Sequence, residues 1–308
     1  MSDIKLFSLK GAPPAELTGK SVALEKSLQN IFEAHLATFL GVRFLATEYS
    51  TGKVHGGRID TLGIDENGCP VIIEYKRSTN ENVINQGLFY LDWLMDHRGE
   101  FELLVLKKLG KEVSDDIEWS GPRLICIAGD FTKYDGHAVQ QINRNIQLLR
   151  YRQYGDELLL LELVNSVKAE AEAVGPAVVP AAKPQKGSSG KLTLAEQFAV
   201  ASTTLRDRYE ALKAFVMGMG DDVEETHLKR YVAFKRIKNF VCVVPLAHTE
   251  QLIVFVKVDP LSVKLEEGFT RDLSEVGHWG TGDLEITLRS VDDLERAKSL
   301  LLKSYEAS

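Results

Sequence analysis

Gly56-Gly-Arg-Ile-Asp60-Thr-Leu-Gly-Ile-Asp65-Glu-Asn-Gly-Cys-Pro70-Val-Ile-Ile-Glu74-Tyr-Lys76-Arg77 is the stretch that decides the fold of the first half of this chain. Two strand-like runs, Arg58–Asp65 and Val71–Lys76, flank Asp65-Glu-Asn-Gly68. An Asn-Gly pair favours the positive φ of a tight turn, so the two runs read as a β-hairpin. Alternate residues of a strand share a face. Glu74 and Lys76 therefore point the same way as Ile72, and Ile73 and Tyr75 point to the other. The hairpin sets the strand of Asp60 beside the strand of Glu74. Two carboxylates and a lysine are expected to meet on one patch at a sheet end.

Such a patch restricts the chemistry. Two close carboxylates raise each other's pKa unless a cation lies between them. Hard oxygen ligands with room for water suit Mg²⁺ or Mn²⁺. A bound metal would polarise a phosphoryl oxygen and acidify a water, and Lys76 would act as a point charge on the developing phosphorane. A Glu–Lys pair on a surface strand contributes at most about 1 kcal/mol, and E-x-K triplets are common. The larger pattern is more specific. Asp60 precedes Glu74 across a hairpin, and Glu74 closes an apolar run. An amphipathic helix over about Asn82–His97 follows, with Gln86 and Tyr90 four apart on one face.

Gly57-Arg-Ile-Asp60, Val71-Ile-Ile-Glu74-Tyr-Lys76-Arg77 and Gln86-Gly-Leu-Phe-Tyr90 together resemble the PD-(D/E)XK nuclease superfamily. Within it the likeness is to the RecB-like, NucS-like branch with its Q-x-x-x-Y helix. The resemblance covers about residues 20–165. It implies a restriction-endonuclease-like α/β mixed sheet flanked by helices. It also implies a Mg²⁺- or Mn²⁺-dependent phosphodiester hydrolase acting on nucleic acid, DNA ahead of RNA, in repair or defence. The site set carried over is Glu25, Asp60, Glu74, Lys76 and Gln86, with Asp60 and Glu74 as metal ligands. Glu33, on the same helix as Glu25, competes for its place. Gly57-Arg-Ile-Asp60 has no Pro before its Asp, a departure from the superfamily motif that is common in the branch. Dimerisation is a further expectation of the family.

Outward from this core, a helix is expected over about Ser21–Leu40, where Leu24, Leu28, Ile31, Phe32, Leu36 and Phe39 recur at helical spacing. Strands are expected near Phe44–Tyr49, Glu102–Lys107 and Arg123–Ala128. A helix near Gly136–Asn145 and a hairpin over about Gln147–Val164 complete a domain over residues 1–167. Residues 168–191 are rich in Pro, Ala, Gly and Ser without large apolar residues, and read as a flexible linker. Residues 192–308 read as an α+β accessory domain. It has a helix over about Thr193–Met217, apolar runs at Phe240–Pro245, Leu252–Val258 and Leu284–Leu288, and a last helix over Val291–Tyr305. This half resembles a widespread bacterial domain found alone or beside nucleases. That domain sometimes carries a transport label, which no membrane-length apolar run supports here.

Several residues are candidate nucleic-acid contacts. Arg58 and Arg77 flank the carboxylates, equally placed to pair with Asp65 or Glu66, and Tyr90 stands behind them. Lys229, Arg230, Lys235 and Arg236 belong to the most basic stretch, Lys229–Lys238, interleaved with Tyr231 and Phe234. That pattern suits phosphate tracking with stacking as well as it suits a solvated edge. Arg144, Arg150, Arg152, Tyr151 and Tyr154 could line a groove or an outward face. Phe89, Trp93 and Leu94 are expected in the core. His278-Trp-Gly-Thr-Gly-Asp283 lacks a following helix and is not a phosphate loop.

The chain has 308 residues, 44% hydrophobic and 26% charged, enough for two packed domains. The formal net charge of −7 excludes a globally basic phosphate-seeking surface, so nucleic-acid binding would use local patches or a metal. Three scattered cysteines without zinc spacing read as reduced buried thiols. With no signal-like N-terminal segment, a cytoplasmic location without membrane contact is expected. Three functions compete: a metal-dependent endonuclease, a non-catalytic nucleic-acid-binding or regulatory protein on the same fold, and a scaffold using the C-terminal domain to engage a protein partner.

Overall fold

A computed structural model describes residues 4–10, 13–22, 24–76, 83–169, 192–278 and 280–308. The chain divides into two compact units, Met1–Gly175 and Pro176–Ser308. Most of the expected linker, residues 170–191, lies outside the described residues, as does Arg77.

The N-terminal unit is a mixed α/β fold. Its elements run β1 (Leu6–Ser8), β2 (Ala15–Leu17), α1 (Glu25–Ala34), α2 (Leu36–Leu40), β3 (Val42–Ser50), α3 (Gly52–His55), β4 (Arg58–Asp65) and β5 (Pro70–Lys76). They continue as α4 (Val83–Asp96), α5 (Arg98–Leu109), α6 (Lys111–Asp115), β6 (Arg123–Ala128), α7 (Lys133–Gln140), β7 (Asn145–Tyr154) and β8 (Leu158–Val167). Six strands form one sheet in the order β3-β4-β5-β6-β7-β8. The outer pairs are antiparallel, while β5, β6 and β7 run parallel. Parallel neighbours need crossovers, which α4 to α6 and α7 provide.

The β4–β5 hairpin forms as its sequence demands. Asp65 Oδ1 accepts from the amides of Asn67 and Cys69, both at 2.9 Å, and Gly68 takes φ +77°. Asp65 Oδ2 receives Arg123 Nη1 at 2.8 Å, with both side chains almost fully buried. Register pairs Thr61 with Ile73 and Leu62 with Ile72, so the two faces separate cleanly. On one face Tyr75 packs against Phe32 of α1, ring centroids 5.7 Å apart. On the other, Ile72, Leu62 and Ile64 pack with Ile84, Leu91, Trp93 and Leu94 of α4. Gly87 lets α4 lie close to Leu124 of β6, where a Cβ would collide.

Several sequence expectations need correction. The helix expected over Ser21–Leu40 starts at Glu25, because Leu24 is extended, and it breaks at His35 into α1 and α2. The run Glu102–Lys107 is helical, the middle of α5. Phe101 and Val105, one turn apart, enter the core while Leu103 and Leu106 stay exposed, so period 3.6 prevails over an apolar run that also suits a strand. The helix expected at Gly136–Asn145 begins earlier. Thr132 and Asp135 form a capping box that starts α7 at Lys133.

The C-terminal unit contains α8 (Leu194–Val200), α9 (Thr203–Met217), β9 (Glu224–His227), β10 (Val232–Lys235), β11 (Asn239–Leu246), β12 (Gln251–Val256), β13 (Thr270–Asp272), β14 (Leu284–Leu288) and α10 (Val291–Glu306). Its six strands form an antiparallel sheet, β13-β14-β12-β11-β10-β9. Leu205, Leu212 and Val216 of α9 and Leu294, Ala297 and Leu301 of α10 close a core over Phe234, Phe240 and Val254. The single helix expected over Thr193–Met217 is two. Ala201 is extended, and Ser202 caps a new helix by accepting from the amide of Leu205. Among the described residues no helix is long and apolar enough to cross a membrane.

Candidate active site

The hairpin brings Asp60 and Glu74 into direct contact through the backbone. Glu74 Oε1 accepts from the amide of Asp60 at 3.1 Å, and Asp60 Oδ2 accepts from the amide of Tyr75 at 3.1 Å. Glu74 is fully buried, and its Oε2 is buried without a hydrogen-bond partner among the described residues. Burial, reinforced by the neighbouring Asp60 charge, pushes the Glu74 carboxyl up to about 9. Burial also raises Asp60, against the opposing pull of the Tyr75 amide and Lys76.

Lys76 ends β5 and reaches Glu25 at the start of α1, Nζ to Oε1 3.1 Å. Glu25 therefore stands at the site. Glu33, its rival two turns further along the same helix, accepts instead from Thr61 Oγ1 at 2.6 Å and from Gln29 Nε2 at 2.9 Å. Glu25, Asp60 and Lys76 share a cavity of ≈ 520 Å³ with Arg58, Gln86 and Tyr90. Glu74 lies behind Asp60 and does not line this cavity.

Gln86 Nε2 donates to Tyr90 Oη at 3.4 Å, as their spacing on α4 implies. The Tyr90 hydroxyl in turn accepts from the amide of Arg58 at 3.1 Å. A Cβ at Gly57 would stand 2.5 Å from Tyr90 Cε1, so this glycine is what lets the ring close on the loop. Tyr90, expected as a nucleic-acid contact, here fixes the entry to β4. The Arg58 side chain is exposed, with Nε against Glu48 Oε2.

Two residues that the sequence left unmarked belong to this site. Gln29 is buried on α1, one turn beyond Glu25, and its Nε2 donates to the Asp60 carbonyl at 2.7 Å. The four-residue spacing from Glu25 was the available signal. Glu48 has φ +51° within β3 and binds Lys26 at 2.9 Å as well as Arg58. The hydrogen bond from Lys26 holds its carboxyl below the usual range. No local pattern in the sequence marks that position.

The donor set fits a hard cation. An orphaned, fully buried carboxylate oxygen beside a second carboxylate is the arrangement that a divalent ion would relieve. Among the described residues no three His, Cys, Asp or Glu side chains are grouped to hold an ion. The protein would supply two carboxylates and leave the remaining positions to water, which suits Mg²⁺ or Mn²⁺ and not a closed zinc site.

The other expected contacts fare differently. Lys235 is buried and pairs with Glu224 at 3.4 Å, and Arg236 pairs with Asp222 at 2.7 Å and covers the Tyr305 ring. Lys229 is exposed and Arg230 half-buried. The basic stretch is therefore no uniform outward stripe, because all four residues of β10 are buried. Tyr151 and Tyr154 are buried, and Arg150 is held between Asp130 and Glu162, so these residues do not form a stacking groove. Phe89, expected in the core, is 46% exposed and packs on His55, ring centroids 5.3 Å apart. All three cysteines are buried and unbridged.

A family model for a domain of unknown function, DUF5655, matches residues 194–308. Those residues carry a DUF5655 domain. An uncharacterized protein of Haemophilus influenzae is 27% identical over 309 residues, 98% of this chain and 100% of that protein. Among solved structures, a repair endonuclease from Pyrococcus abyssi aligns at 19% identity and TM-score 0.27, covering 43% of this chain and 50% of that one. A complex of EndoMS with double-stranded DNA aligns at 18% identity and TM-score 0.25, covering 42% of this chain and 47% of that one. The chain thus spans half or less of the two solved structures.

Proposed function

We propose that the N-terminal unit is a metal-dependent nuclease that hydrolyses phosphodiester bonds of nucleic acid, DNA ahead of RNA. The observation that carries this reading is the pairing of Asp60 with a buried, half-unpartnered Glu74, beside a Lys76 held by Glu25. Asp60 and Glu74 would hold Mg²⁺ or Mn²⁺, which when bound polarises the phosphoryl group and makes a water more acidic.

The remaining roles fall to the chain itself. Lys76 is anchored by Glu25 and faces the cavity, where its ammonium would steady negative charge growing on the phosphoryl oxygens. Gln86 and Tyr90 hold the Gly57–Arg58 backbone, which sets where a strand can approach Asp60. Gln29 fixes the Asp60 carbonyl from below. Arg58, exposed at the rim, would take a backbone phosphate.

A cleavage panel of single- and double-stranded DNA and RNA with Mn²⁺ tests the reading, wild type against Asp60→Asn and Glu74→Gln. Cleavage is expected in wild type and lost in both variants. Absence of cleavage across the panel in wild type, with nucleic-acid binding that persists in Asp60→Asn, would replace this reading with a binding protein.

A further inference from the structure

The C-terminal unit holds a second group of chemistry-bearing side chains, independent of Asp60 and Glu74. Where α8, α9 and the edge strand β9 meet, a cavity of ≈ 420 Å³ is walled by Phe198, Tyr209 and His227, with Arg206 and Glu210 also lining it. Cavities of this size and apolar character take small molecules. Phe198 stands at 66° to Tyr209 with centroids 4.9 Å apart, and at 25° to His227 with centroids 6.3 Å apart.

Glu225 organises this wall. Its Oε1 accepts from the Tyr209 hydroxyl and from His227 Nε2 at 2.8 Å, and its Oε2 receives Lys213 Nζ at 2.6 Å. Burial alone would raise this carboxyl. The hydrogen bonds from His227, Lys213 and Tyr209 outweigh burial and bring it down to about 2. A carboxylate there accepts a hydrogen bond from Nε2, so in the neutral tautomer the acceptor lone pair of His227 lies on Nδ1. The Tyr209 proton is turned inward, which leaves its ring as its contribution to the cavity.

Arg206 supplies the charge. Its Nη2 donates to the carbonyls of Phe198 at 2.8 Å and Ala199 at 3.3 Å, at the end of α8. Two anchors on one nitrogen hold the guanidinium in place while Nη1 and Nε have no hydrogen-bond partner among the described residues. The Lys213 charge is matched by Glu225; Arg206 forms no ion pair among them. The cavity therefore offers aromatic faces, an imidazole acceptor and a fixed guanidinium, with the Glu210 carboxylate also on its lining. An amino-bearing heteroaromatic ring with a phosphate complements all three.

We propose that this cavity binds a nucleotide unit, with its base against Phe198, its exocyclic amino group toward His227 Nδ1 and its phosphate on Arg206. A free mononucleotide and the phosphorylated end of a nucleic-acid strand present the same chemistry. Isothermal titration of the full chain in EDTA, with 5′-AMP, adenosine, and short oligodeoxyadenylates with and without a 5′-phosphate, tests the proposal. Saturable AMP binding is expected, with adenosine weaker by about tenfold, the loss of one charge-assisted contact. Arg206→Gln should bring AMP down to the adenosine level and leave adenosine unchanged, while Phe198→Leu weakens both. The His227 ring protons should shift on AMP addition in wild type, a readout that does not depend on any variant folding. Tighter binding of the phosphorylated oligonucleotide identifies a strand end as the natural source, and AMP binding alone identifies a free nucleotide. Absence of saturable binding by AMP and oligonucleotides overturns the proposal. Binding that ignores Arg206→Gln and leaves the His227 resonances unmoved overturns it equally.

Discussion

The amide of Asp60 donates to Glu74 Oε1 at 3.1 Å while Glu74 Oε2, 0% exposed with the rest of its side chain, has no hydrogen-bond partner among the described residues. One carboxylate is thus half-satisfied by the backbone of the other, in a place where neither ionises easily. The consequences can be measured without knowing the substrate.

Metal binding should release protons. With its carboxyl near 9, Glu74 carries a proton at pH 7 in the metal-free protein, and coordination requires its loss. Titration of Mn²⁺ by calorimetry in buffers of different ionisation enthalpy should report release of about one proton per ion at pH 7. The release should disappear in Glu74→Gln. Metal binding with no buffer dependence would contradict the buried, protonated state.

The metal-free fold should lose stability as pH rises. A carboxyl raised on folding binds its proton more tightly in the native state. Its stabilisation is complete below the unfolded pKa, near 4.3, and fades as pH climbs toward the folded value near 9. Asp60, also raised, acts in the same direction. Urea midpoints measured in EDTA between pH 5 and 9 should fall, at no more than about 1.4 kcal/mol per pH unit for each group. The fall should flatten in Glu74→Gln.

Gly57→Ala should damage function more than folding. The new methyl meets the Tyr90 ring, so Tyr90 or the loop must move and the Arg58 amide loses its anchor. Far-ultraviolet circular dichroism should stay unchanged, while cleavage falls by roughly tenfold to a hundredfold through misplacement of the β4 entry. An unaffected rate would mean that the Tyr90 contact positions nothing.

Arg123→Met should destabilise the N-terminal unit by about 3–5 kcal/mol, because it leaves the buried Asp65 charge unpaired. Chemical denaturation would show it. The paired replacement of Asp65 by Asn and Arg123 by Met should recover part of the loss, the signature of coupled neighbours.

Much of the site could be read from the sequence because its parts are local. Asp60, Glu74 and Lys76 lie on one hairpin whose turn chemistry and period of two fix register and facing. Gln86 was marked by its four-residue spacing from Tyr90, whereas Glu25 needed a family likeness to be noticed and was separated from Glu33 only by the contact with Lys76. Gln29 and Glu48 act through neighbours 31 and 10 residues away; the four-residue spacing of Gln29 from Glu25 is the only local signal, and Glu48 has none. The errors share one cause. Glu102–Lys107, Phe89 and Lys235 belong to stretches whose composition permits either exposure or burial, and tertiary packing alone decided which.

The two acidic groups meet across a tight turn, whereas Gln86 and Tyr90 arrive on a separate helix. Grip and alignment are therefore mechanically separable. A disturbance that loosens α4 would release the Gly57–Arg58 backbone and leave the carboxylate pair in register. Under the proposed function, such a protein would still bind a divalent cation while failing to present a strand to it, a fault that a metal-affinity assay alone would never detect.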